Sequence, residues 1–239
     1  MPQIAIETLD HQGRFNAWLA EPAGTPKGAI IVIQEIFGVN PGIRAKCGHW
    51  AAQGYLGIAP DLFWRIREGV ELDPDVPEQF QEALGLMQKL NQDKAIADIE
   101  ACIREARSRL PAREDGGHGR VGCVGYCLGG RLAFMTAART DVDASVGYYG
   151  VGLEGLLGEK HAIARPLLLH IAGADHFVTP DKQALIHEGL DDEARVTLHD
   201  YPGEDHGFAT ESGLRRSEQA AQLADSRTEA FFAEHVGLG

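Results

Sequence analysis

Apolar residues in this chain follow two rhythms, and the points where one gives way to the other mark out the elements. "IAIET" and "RFNAWLAEP" alternate apolar and polar positions across a turn at residues 10–13, which predicts a pair of strands at an antiparallel edge. "GAIIVIQE" is continuously aliphatic, the pattern of a strand covered on both faces. After the loop "IFGVNPG" come a helix near residues 43–53 and a short strand in "LGIAPDLF". Over residues 93–110, Ile96, Ile99, Cys102, Ile103, Ala106 and Leu110 recur at helical spacing along one face. The rest reads as strand "RVGCVGYC", a helix from Leu128, strands "ASVGYYG" and "RPLLLHIAG", a helix after Pro180, strand "ARVTLHDYP" and a last helix within residues 214–232. Strands alternating with helices predict a mainly parallel central sheet with helices on both faces, as one α/β domain over residues 1–239. "REGVELDPDVPEQF" reads as a loop inserted at a strand end, where such enzymes shape their pockets.

Composition changes the picture in three respects. Hydrophobic residues make up 44% and charged residues 24%, an ordinary globular balance, and no apolar run is long enough to span a bilayer. The opening "MPQIAIETLD" has no basic stretch followed by an apolar one, so a cytoplasmic location is expected. A net charge of −13 with scattered Lys and Arg disfavours both nucleic-acid phosphates and anionic membranes. The expected partner is therefore a small molecule, with the chain as a monomer or small homo-oligomer. Cys47, Cys102, Cys123 and Cys127 form no C-x-x-C pair, and no H-x-x-x-H spacing is present, so neither a metal nor another cofactor is expected.

The chemistry concentrates in "GYCLGG". Gly125, Cys127 and Gly129 fit the G-x-nucleophile-x-G turn, which is too tight for side chains beside the nucleophile and presents it at a helix start. The same residues also suit a glycine-rich junction around a small buried cysteine. A triad in this setting needs an acid and then a histidine, each just past a later strand. Asp175 follows "PLLLHIAG" and His206 follows "ARVTLHDYP", in that order. His170 sits inside an apolar strand and His176 directly follows the acid, which makes both poorer bases.

With these residues in place, the chain resembles the dienelactone hydrolases, a cysteine-dependent branch of the α/β-hydrolase fold. The resemblance runs nearly end to end, carried by "QEIFGVN", "APDLF", "VGYCLGG", "VGYYGVGLE", "GADHFVTP" and "YPGEDHGFA". It implies a Cys127–Asp175–His206 triad, an oxyanion hole from the backbone N–H groups of Ile36 and Leu128, and a gatekeeping carboxylate at Glu35. One departure touches the substrate. Where the family holds its substrate's carboxylate with arginines, this chain has Phe80, in the loop before the long helix, and Thr210. Arg65, Arg67 and Arg131 are candidate replacements. Tyr148 and Tyr149, read as a loop after a strand, are candidate pocket residues.

The leading reading is a hydrolase that opens a lactone or cleaves a small ester through a thioester on Cys127. A second keeps the triad in a broad-specificity carboxylesterase for neutral esters or larger lactones. A third, of another class, makes Cys127 a reversible thiol in a redox or ligand sensor, with Cys123 as its partner.

Overall fold

Eight strands form a single sheet in the computed structural model, which describes residues 3–113, 116–211 and 213–237. They are β1 (Gln3–Glu7), β2 (Arg14–Ala20), β3 (Ala29–Ile33), β4 (Leu56–Pro60), β5 (Val121–Tyr126), β6 (Ala144–Tyr148), β7 (Leu167–Ala172) and β8 (Val196–Tyr201). Their order is β1-β2-β4-β3-β5-β6-β7-β8. β1 and β2 pair antiparallel with each other, β2 pairs antiparallel with β4, and every later pairing is parallel. The helices are α1 (Pro41–Ala52), α2 (Pro77–Lys89), α3 (Gln92–Arg109), α4 (Leu128–Arg139), α5 (Pro180–Leu190) and α6 (Glu218–His235), with a 3-10 helix at Leu153–Ala162. The mainly parallel α/β sheet expected from the alternation of patterns is the one observed. Among the described residues no helix is long and apolar enough to cross a membrane.

The continuous apolar run in β3 is explained by its two neighbours. Ile31 and Ile33 pack with Ile99, Cys102 and Ile103 of α3 and Leu132 of α4. Ile30 and Val32, one residue out of phase, pack on the other face with Cys47 and Trp50 of α1 and Ala224 and Phe232 of α6.

One expected loop contains a helix. Pro77 opens α2 at a position where its missing N–H costs nothing, and Phe80, Ala83, Leu84, Leu86 and Met87 follow at helical spacing. The Asp- and Pro-rich lead-in hides this stripe from a reading of the segment as loop. Phe80 accordingly sits on a helix, not in a loop.

Strand order places the site. From β3 the chain moves outward to β4, then crosses back to β5 and continues the other way, so direction reverses between β3 and β5. The carboxyl ends of two such strands leave a crevice that neither crossover covers. β5 turns there directly into α4 through Cys127, whose φ of 57° and ψ of −114° lie where side chains are strained. Gly125 and Gly129 permit the turn. A Cβ on Gly125 would lie 1.9 Å from the Gly129 carbonyl oxygen, and one on Gly129 would lie 2.4 Å from that of Ile33.

Gly125→Ala is expected to cost about 1–3 kcal/mol, because the obstructing atom is backbone and cannot yield cheaply. Gly85→Ala, inside α2 with nothing near the added methyl, is expected to be neutral or to stabilise by up to about 1 kcal/mol. Thermal melts of the two variants beside the parent check the pair.

Candidate active site

Asp175 and His206 arrive from the loops after β7 and β8, neighbouring strands in the sheet. His206 Nδ1 donates to Asp175 Oδ2 across 2.8 Å, with both side chains almost fully buried. The acid is itself fixed by backbone: its Oδ1 accepts from Phe177 N at 2.8 Å and Val178 N at 3.3 Å. This arrangement holds the proton on Nδ1 and leaves Nε2 free for chemistry. Nε2 is buried and has no hydrogen-bond partner among the described residues, and the cavity it borders is the one Cys127 lines. Burial by itself would lower the pKa of His206. The charge of the neighbouring Cys127 sulfur and the Asp175 carboxylate outweigh it and push the imidazole up to about 10.

That cavity, of about 260 Å³, is also lined by Ile36, Leu128, Phe80, Arg131 and Arg215. Leu128 opens α4, so its N–H has no acceptor within the helix, and Ile36 lies in the turn after β3. Both residues line the cavity that Cys127 lines. Glu35 lines a separate, more polar cavity of about 330 Å³, together with Tyr149, Thr210, Lys46 and the start of α1. Its Oε2 lies 3.6 Å from Arg215 Nη2, and its Oε1 is buried without a partner among the described residues. In this structure Glu35 is the partner of an arginine at the wall between the two cavities.

Several expected pocket residues are redistributed. Tyr148 is not in a loop: it ends β6, and its hydroxyl donates to Asp225 at 3.0 Å and pairs with Thr228 at 2.6 Å, away from both cavities. Tyr149, with φ of 38°, turns the other way and sets its ring 5.0 Å from that of His206. Its hydroxyl and that of Thr210 are buried and unpartnered among the described residues. Of the candidate replacement arginines, Arg65 is held by the buried Asp98 and Arg67 by Glu82, while Arg131 does reach the cavity. Sequence reasoning missed Arg215. It stands nine residues after His206 in a loop with no periodicity, and the mutual approach of two loops is invisible in one sequence.

The competing bases are otherwise engaged. His170 bonds to the Tyr201 hydroxyl at 2.7 Å and Thr228 at 2.9 Å, and burial pushes its pKa well below the ordinary range. His176 faces Asp205 at 2.7 Å. Asp175, His176 and Asp205 do bring ligand atoms within 4.8 Å of one another, but both oxygens of Asp175 are already committed, so a metal there would compete with the His206 bond. Cys123 is buried within β5, four residues before Cys127, and its Sγ bonds to Ser145 Oγ at 3.2 Å. That placement gives no support to a Cys123–Cys127 redox pair.

Comparison with known proteins shows what the chain as a whole is similar to. The sequence profile of the Dienelactone hydrolase family matches residues 15–236. A carboxymethylenebutenolidase from Pseudomonas putida is 40% identical, covering 96% of this chain and 95% of its own. One from Cupriavidus pinatubonensis is 38% identical over 90% of each. A crystal structure from Klebsiella pneumoniae, ascribed to the dienelactone hydrolases, superposes with a TM-score of 0.81 at 29% identity, over 98% of this chain and 100% of that one.

Two measurements follow from the hydrogen bonding. The raised His206 value means that the folded state holds a proton the unfolded chain, near ~6.5, has released. The stability it contributes is therefore whole below about pH 6.5 and is lost as pH rises toward about 10. An NMR titration should find the His206 ring doubly protonated at pH 8 in the intact protein, and titrating lower in Cys127→Ala, where the main upward cause is gone. Tyr148→Phe, which removes buried bonds remote from the sulfur, should lower unfolding free energy by about 1–2 kcal/mol in denaturant titrations.

Proposed function

This chain belongs to the dienelactone hydrolase family, and on that footing we propose that it opens a lactone or cleaves a small carboxylic ester through a thioester on Cys127. The observation that carries this reading is the buried Asp175–His206 bond of 2.8 Å, with His206 Nε2 unpartnered at the cavity that Cys127 lines.

The steps follow from these positions. With the thiol proton already resting on His206 Nε2, as its raised value implies, the sulfur attacks the carbonyl carbon, forming the C–S bond and moving the carbonyl electron pair onto oxygen. Backbone N–H groups of Ile36 and Leu128 hold that oxyanion, fixed in place before reaction by the elbow and the turn after β3. As the carbonyl re-forms, the C–O bond breaks and His206 returns its proton to the departing alkoxide, which in a lactone stays tethered to the acyl group. A water then loses its proton to His206 and attacks the thioester; the C–S bond breaks, the electron pair returns to the sulfur, His206 keeps the proton beside it, and the acid leaves. Asp175 keeps the imidazole in the Nδ1–H tautomer and stabilises its charged form throughout. His206 serves as the base in preference to Glu35, because Glu35 is turned toward Arg215.

Cys127→Ala should lower kcat/KM for an aryl ester and for a dienelactone by roughly a thousandfold or more. Acid quench of the intact protein during aryl-ester turnover should trap the acyl mass on the peptide carrying Cys127. Equal activity in the two proteins would overturn the assignment.

A further inference from the structure

The wall of the catalytic cavity carries information on the substrate that the triad does not. α2 contributes Phe80, Leu84 and Met87, which lie on one face of the helix at successive turns and are only partly covered by the core. Val151 and Phe177 add to the apolar lining, and Phe37 supports Phe80 with ring centroids 5.9 Å apart.

Two cations also border this space, and each already faces a group of this chain. Arg131 donates through Nε to Gln92 Oε1 at 2.9 Å and through Nη1 to the Gly152 carbonyl. Arg215 faces the Glu35 carboxylate at 3.6 Å and lies over the Phe37 ring. A carboxylate brought to Arg215 would enter beside the buried negative charge of Glu35 and meet repulsion along with attraction. Bidentate recognition needs both nitrogens of a fork facing one anion; Arg131 has two of its nitrogens committed to Gln92 and Gly152, and Arg215 has the Glu35 carboxylate beside it.

Resting on the hydrolase reading above, we infer that the site selects an uncharged acyl group with an apolar chain of medium length, and that Phe80, Leu84 and Met87 of α2 are the residues that read it. A volume of about 260 Å³ is near the roughly 300 Å³ at which small-molecule pockets begin, which admits several methylenes but not a long fatty chain. Each methylene that moves from water to this wall strengthens transition-state binding by about fourfold.

The test compares kcat/KM for p-nitrophenyl acetate, butyrate, hexanoate and dodecanoate, together with the hemisuccinate and its uncharged isostere, the 4-methylpentanoate. The expected result is a rise of at least tenfold from acetate to hexanoate, a fall at dodecanoate, and at least a tenfold preference for 4-methylpentanoate over hemisuccinate. In Leu84→Ala and Met87→Ala the hexanoate-to-acetate ratio should drop toward one. Phe80→Leu, which keeps the wall apolar, should retain the preference for the uncharged ester. Turnover that depends on Cys127 but is flat with chain length, or favours the hemisuccinate, overturns this specificity and leaves the hydrolase standing. Absence of Cys127-dependent turnover on every ester overturns the hydrolase reading and this inference together.

Discussion

The site depends on how closely the backbone at the end of β5 approaches the backbone at the end of β3. Gly129 lies so near the Ile33 and Gln34 carbonyls that any side chain there would collide with both. That contact brings the first turn of α4 against the loop bearing Glu35 and Ile36. Cys127, two residues before Gly129, sits beside it at a strained φ. His206 and Asp175 come from loops farther along the same sheet edge, and their position follows from the parallel pairing of β7 with β8.

Much of this was legible in the residues. The continuous aliphatic run of β3 and the G-x-C-x-G turn are local signals, and parallel strand order then fixes where an acid and a histidine must follow. What escaped depended on tertiary geometry or on competing local signals. The sequence points to a loop at Phe80 because Asp73, Pro74 and Asp75 just ahead of it are strong turn formers, although Pro77 and the apolar stripe behind it satisfy the rules for a helix start. Tyr148 and Tyr149 are adjacent and chemically identical, so only the positive φ at Tyr149 and the end of the strand alternation separate a structural hydroxyl from one at the site. Arg215 could not be found from spacing, because its relation to Glu35 joins two loops 180 positions apart in the chain.

Charge at the site is organised by pairing. The chain carries a net −13, yet its interior charges near Cys127 come as Glu35 with Arg215 and Asp175 with His206. A buried pair costs desolvation that mutual attraction repays only when geometry is good. The 2.8 Å Asp175–His206 contact meets that condition, while the 3.6 Å Glu35–Arg215 contact is looser and leaves atoms of both groups without hydrogen bonds. The first is therefore a fixed element of the site and the second an adjustable one.

The four cysteines differ in a way that has a practical side. Cys47, Cys102 and Cys123 are sealed in the core, and burial pushes their thiols up, Cys123 to about 12, whereas Cys127 alone reaches a cavity. A soluble thiol reagent meeting the native fold thus finds a single accessible sulfur per polypeptide, and meeting the unfolded chain finds four. The ratio of the two counts reports how much of a preparation is folded, and the same selectivity allows one fluorophore or heavy atom to be placed in the cavity beside His206 without removing any other cysteine.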